Sequence, residues 1–138
     1  MVTMIDEEFL AALERCELPP EGFTHAAHVR AGYLYLRANG FGFALERIRR
    51  SVRQYARHCG QPERYHETVT VAYLALIGQH LCLRGDGGGW SGFARDNPEL
   101  FQSGLLLHFY SELELNSDLA RRVFLLPRAD RPRKAECA

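Results

Sequence analysis

The stretch "ERYHETVTVAYLALIGQHLCLR", residues 63–84, decides the fold. It is apolar almost all round. In a chain with no apolar run near the ~20 residues that cross a bilayer, such a helix belongs at the centre of a bundle, packed on several sides. The pattern predicts a central helix over residues 63–83, and its few polar side chains (His66, Glu67, Thr70) then need a reason to be there.

The flanking segments are also helical in pattern, and none alternates as a strand does. "DEEFLAALERCEL" carries acids in its first turn, where the helix dipole favours them, and repeats apolar residues at Phe9, Leu10, Leu13 and Leu18, with "PPEG" as its stop. Thr24 is a good N-cap for a second helix that runs to about Asn39 and ends with Gly40 at its C′ position. A third, "FALERIRRSVRQYARHCG", sets Leu45, Ile48, Val52, Tyr55 and Ala56 in one stripe and closes at Gly60. Beyond a flexible "GDGGG" loop, Ser91, Asn97-Pro98, Ser111 and Ser117 mark further helix starts. The expected architecture is all-α: a single compact orthogonal bundle of five to six helices over residues 1–127, followed by a flexible tail over 128–138.

Composition narrows the function. The 138 residues hold 17 basic and 17 acidic side chains, so net charge gives no nucleic-acid footprint and no pull toward an acidic membrane. Four cysteines without a CxxC pair, and no signal peptide, lead to an expectation of reduced thiols in a cytoplasmic protein. The expected partner is a small-molecule ligand, and a homodimer is compatible with the pattern.

The second helix carries the candidate chemistry. At 100° per residue His25, His28, Val29, Gly32, Tyr35 and Leu36 share a face. Gly32 on that face costs about 1 kcal/mol of helix propensity relative to alanine, so its missing side chain leaves room for another element or for a ligand. On the central helix His66 and Glu67 point about 100° apart with Thr70 between them, so one cleft could hold both. The expected catalytic residues are therefore His25, His28, His66 and Glu67, an imidazole–carboxylate set suited to proton exchange near neutrality. Gly32, Tyr35 and Thr70 are expected to shape the pocket, with no cofactor.

The alternative is a non-catalytic helical binding module or a metalloprotein, with Zn or Fe held by His25, His28 and His66 and an open position for water. The blander alternative is a buried polar network that only fixes how two helices pack. His80 and Cys82 are two residues apart and face opposite sides of a helix, which speaks against a Cys–His nucleophile. "GDGGGW" lacks the ending and the preceding strand of a phosphate-binding loop.

The motifs "FTHAAHVRAGYLYL" (23–36), "RYHETVTVAY" (64–73), "NPEL" (97–100) and "FYSELELNSDLAR" (109–121) resemble a widespread family of short, mostly uncharacterised bacterial helical proteins. Size and pattern are also similar to small bacterial natural-product enzymes of the Pictet-Spengler type, which condense an aryl-ethylamine with an aldehyde and close a ring. That resemblance implies a reaction type, acid–base catalysis in biosynthesis, and assigns no residue.

Overall fold

The computed structural model describes residues 5–127, and among them every regular element is helical. Seven α-helices follow in chain order: α1 Asp6–Glu14, α2 His25–Ala38, α3 Phe41–His58, α4 Glu67–Arg84, α5 Trp90–Asp96, α6 Glu112–Leu115 and α7 Asp118–Arg122. Short 3-10 turns join them at Pro20–Gly22, Pro62–Arg64, Pro98–Phe101 and Leu105–His108. The count exceeds the expected five to six because Ser111 and Ser117 each cap a separate short helix, Ser111 in a full capping box with Glu114. The expected tail over 128–138, with Cys137, lies outside the described residues.

α4 is central, packed by α2, α3 and α7. Leu74 and Ile77 on α4 are buried, together with Val29, Tyr33 and Leu34 on α2 and Ala44, Ile48 and Val52 on α3. The last turn of α4 leaves this core, and Leu83 is exposed. No helix among the described residues is long and apolar enough to cross a membrane.

Helix boundaries depart from the sequence expectation in three places, each with a local cause. α1 ends at Glu14 because Cys16 adopts a left-handed φ of 58°, with Cys16 N–H on the Leu13 carbonyl and Glu17 N–H on that of Ala12. This is the Schellman stop that Gly60 makes after α3, where φ is 74° and the matching bonds run to Arg57 and Ala56. Gly40 is not a left-handed C′ residue; its φ is −68°, and it is the N-cap of α3, which begins two residues earlier than expected.

The third departure matters for the site. α4 begins at Glu67 instead of residue 63, because Pro62–Arg64 form a 3-10 turn and Tyr65 is extended. His66 is therefore the N-cap, with φ −133° and ψ 109°, and its ring accepts the Val69 N–H at 3.1 Å. It is not on the helical wheel at all.

Gly32 lies where α2 meets α4. A Cβ built on it would stand 2.9 Å from Ile77 Cδ1 and 3.3 Å from Leu74 Cδ1, so the room that glycine leaves is filled by these side chains of α4.

Candidate functional site

One turn before Gly32 the same interface opens. A cavity of about 390 Å³ lies between the N-terminal turn of α2, the C-terminal half of α3, the Pro62–Arg64 turn and the start of α4. Its volume falls in the range of about 300–1,000 Å³ typical of small-molecule sites. Phe23, Tyr55 and Tyr65 supply aromatic walls, and Val52, Ala56 and Val69 the aliphatic ones. Phe23 stacks on the His28 ring at 5.6 Å between centroids and tilts against Tyr55 at 4.9 Å. A second void, lined in part by His25, His28, Gly32 and Thr70, measures only about 10 Å³. It has the size of one water, not of an organic ligand.

Most polar groups in the main cavity are already engaged. Tyr55 donates to the Leu18 carbonyl at 2.9 Å, Tyr65 to Glu67 Oε1 at 2.6 Å, and Thr70 to the His66 carbonyl at 2.8 Å. His66 has both ring nitrogens committed. Because Nδ1 accepts from Val69, Nε2 carries the hydrogen and donates to the Leu115 carbonyl at 2.7 Å. Burial lowers its pKa, and the charge of Arg121 adds to that.

His28 is the exception. Its ring faces the cavity, and among the described residues neither nitrogen is engaged in a hydrogen bond. Burial first, and then the neighbouring His25, push its pKa down to about 4, so the imidazole is neutral at pH 7 with one nitrogen able to accept. His28 is half-buried and lines the cavity.

The other expected site residues are distributed elsewhere. His25 is an exposed residue whose Nε2 donates or accepts across 3.0 Å at the Leu100 carbonyl; since a carbonyl only accepts, Nε2 is the donor. Its ring meets Tyr73 edge-on at 4.9 Å. Tyr35 shares the His28 face but stands two turns further along α2, away from the cavity, donating to Glu14 Oε2 at 2.6 Å and sharing a hydrogen bond with Ser51 at 2.8 Å. Burial, then the Glu14 carboxylate, raise its pKa.

Glu67 does not line the cavity. Arg49 grips it with two hydrogen bonds, Nε to Oε1 at 3.1 Å and Nη2 to Oε2 at 2.6 Å, while Arg53 stands 3.8 Å away and over the Tyr65 ring. Burial works to raise the Glu67 pKa, but Arg49, Tyr65 and Arg53 outweigh it and hold the carboxyl below its ordinary value. The Tyr65 hydroxyl, buried and bonded to that carboxylate, is pushed up to about 12. Glu67 is thus a fixed anion behind the cavity wall that Tyr65 forms.

For metal ligation, His25 and His66 each spend Nε2 on a main-chain carbonyl, and His66 spends Nδ1 as well. No group of three or more His, Cys, Asp or Glu side chains is placed to hold a metal ion among the described residues.

Sequence reasoning thus reached His28, His66 and Thr70, which the structure gathers at one cavity, and missed Phe23, Tyr55, Tyr65, Cys59 and Arg64. Tyr55 and Ala56 stood in the apolar stripe of the third helix, and their position at its open end gave no signal of its own. No protein family, curated protein or solved structure matches this chain.

Proposed function

We propose that the cavity binds a small, largely apolar organic molecule and that His28 acts as its proton acceptor. The observation that carries the reading is the His28 ring facing the cavity with no hydrogen-bond partner among the described residues, where burial favours its neutral form. A neutral imidazole in such a place accepts a hydrogen bond from a ligand hydroxyl or amine. It also takes a proton when the ligand can release one, because the negative charge left on the ligand stabilises the imidazolium that forms.

This makes the protein a candidate acid–base enzyme that needs no cofactor for that step. The ring closure of the Pictet-Spengler type, which the sequence resemblance implies, ends in loss of a ring proton from a cationic intermediate; we place His28 at that step, where the proton and its positive charge pass to the imidazole and the ligand becomes a neutral aromatic ring. Glu67 then serves as a fixed charge that orients Tyr65, since Arg49 already holds both of its oxygens.

The test has two stages. A library of aryl-amines, phenols and aromatic acids is screened by thermal shift against the wild-type protein and Ala56→Trp, which fills the cavity from α3. Stabilisation by at least one class that the tryptophan abolishes supports the site. No stabilisation by any compound, or stabilisation that survives the tryptophan, counts against it. A 2-arylethylamine and an aldehyde are then incubated with protein and the cyclised product is followed by mass. His28→Phe should slow its formation by about 10² or more; equal rates would remove His28 as the base.

A further inference from the structure

The cavity's polar groups are arranged by depth, and that arrangement specifies a ligand class. Of its lining side chains only Arg64 bears a formal charge, and Arg64 is exposed at the mouth. Its Nη1 donates to Gln61 Oε1 at 3.0 Å, which holds the guanidinium beside the opening and leaves its other N–H groups for a further acceptor. Inside, Phe23, Tyr55 and Tyr65 form the walls, and the Tyr and Thr hydroxyls there are turned away into bonds with Leu18, Glu67 and His66. Those hydroxyls are fixed by the bonds they donate, whereas the His28 ring faces the interior with neither nitrogen engaged among the described residues.

From this order we infer that the ligand is an aromatic acid with a hydrogen-bond donor at the end opposite its carboxylate: the carboxylate meets Arg64, the ring system lies between the aromatic walls, and the donor meets His28. The inference rests on the small-molecule reading given above and adds the identity of the two ends. A planar guanidinium matches a carboxylate with two parallel N–H groups, and flat rings suit walls made of rings. A cationic ligand end at the mouth would meet Arg64 as a like charge, and a purely apolar ligand would leave both Arg64 and His28 unused.

The probe is 6-hydroxy-2-naphthoate, which carries a hydroxyl and a carboxylate at opposite ends of a bicyclic aromatic. Its comparators are 6-hydroxy-2-naphthamide, without the charge, and 2-naphthoate, without the donor. Binding is followed at pH 7.5 by ligand fluorescence with wild type, Arg64→Gln and His28→Phe. Because Arg64 is exposed, its charge should be worth about a fivefold preference for the hydroxy acid over the amide. Arg64→Gln should remove that preference and leave amide affinity unchanged. His28→Phe should equalise the hydroxy acid and 2-naphthoate without altering the preference for acid over amide.

If acid and amide bind wild type equally, or if the preference survives Arg64→Gln, the assignment of the ligand class falls while the pocket and His28 stand. If the hydroxyl makes no difference in wild type, the His28 end falls. Absence of binding by all three compounds overturns the ligand class alone when the library still gives stabilisation that Ala56→Trp abolishes, and overturns the small-molecule reading with it when the library gives none.

Discussion

Two adjacent parts of one interface, a single helical turn apart, behave oppositely. At Gly32 α2 approaches α4 so closely that a methyl group would touch Ile77, and the intervening void is about 10 Å³. At His28 the same pair of helices parts around about 390 Å³. The difference lies in how α4 starts. Had the helix run from residue 63, its first turn would have continued against α2; instead Pro62–Arg64 and the extended Tyr65 turn the chain aside, and the space is walled by aromatic rings. A tight crossing and a hollow one can share a helix face when one partner stops short.

The largest expected effect breaks the tight half. Gly32→Leu should overpack against Ile77 and Leu74 and destabilise by about 3 kcal/mol in urea unfolding; a neutral or stabilising result would mean that the crossing has room the structure does not give it. Next, Glu67→Gln removes the anion that Arg49 grips and that Tyr65 leans on, with an expected loss of about 2 kcal/mol. If stability is kept, the cavity wall does not depend on that ion pair.

The hollow half should declare itself through pH. The folded protein disfavours protonated His28, so below its ordinary 6.5 the unfolded chain takes up a proton that the folded one refuses. Stability should therefore fall as pH drops from about 6.5 to about 4 and level off below that with respect to this group. After allowance for partial solvent contact, the loss between pH 7 and 5 is about 1 kcal/mol, and His28→Phe should remove most of it, leaving a fall of the same sign from His66, whose pKa is also lowered. At lower pH Glu67 takes over with its own sign: its depressed pKa makes its contribution full above the ordinary carboxylate value of 4.5, and protonation then removes it. Equal urea midpoints for wild type at pH 7 and 5 would contradict the desolvated imidazole. The smallest effect is Thr70→Val, within about 0.5 kcal/mol, because the hydroxyl it deletes donates to a carbonyl that also accepts the Thr70 N–H, and its other partner, the Tyr65 hydroxyl, is already held by Glu67. A large loss would place that hydroxyl in a role beyond this bond.

What could be read from the sequence follows from the range of the forces involved. Thr24, Ser111 and Ser117 satisfy amides three residues away, and all three caps were legible as local chemistry. So was the central place of α4, since apolar residues on every side admit few alternatives. The site was legible only in part because a helix drawn from residue 63 places His66 on the wheel, whereas it is the N-cap. Once it is a cap, the angle between His66 and Glu67 is set by backbone dihedrals outside the helix, and the two side chains reach different neighbours. Arg49 and Tyr65, which hold Glu67, come from another helix and from an extended residue, and no periodicity links them. Cys16 makes the same point: it ends a helix in a left-handed conformation that glycine would have advertised.

The His66 ring also has a consequence for how the molecule opens. With one nitrogen it closes the first turn of α4 and with the other it holds Leu115, while two residues on the Thr68 hydroxyl donates to the Val123 carbonyl at 2.9 Å and accepts the Leu125 N–H at 2.9 Å. The chain from α6 to Leu125 is therefore latched to the same turn that walls the cavity. Local opening of that segment releases the His66 ring and with it the Val69 amide, so the latch and the wall form one cooperative unit of hydrogen exchange, and anything that stiffens the cavity from within slows the fraying of a segment it never touches.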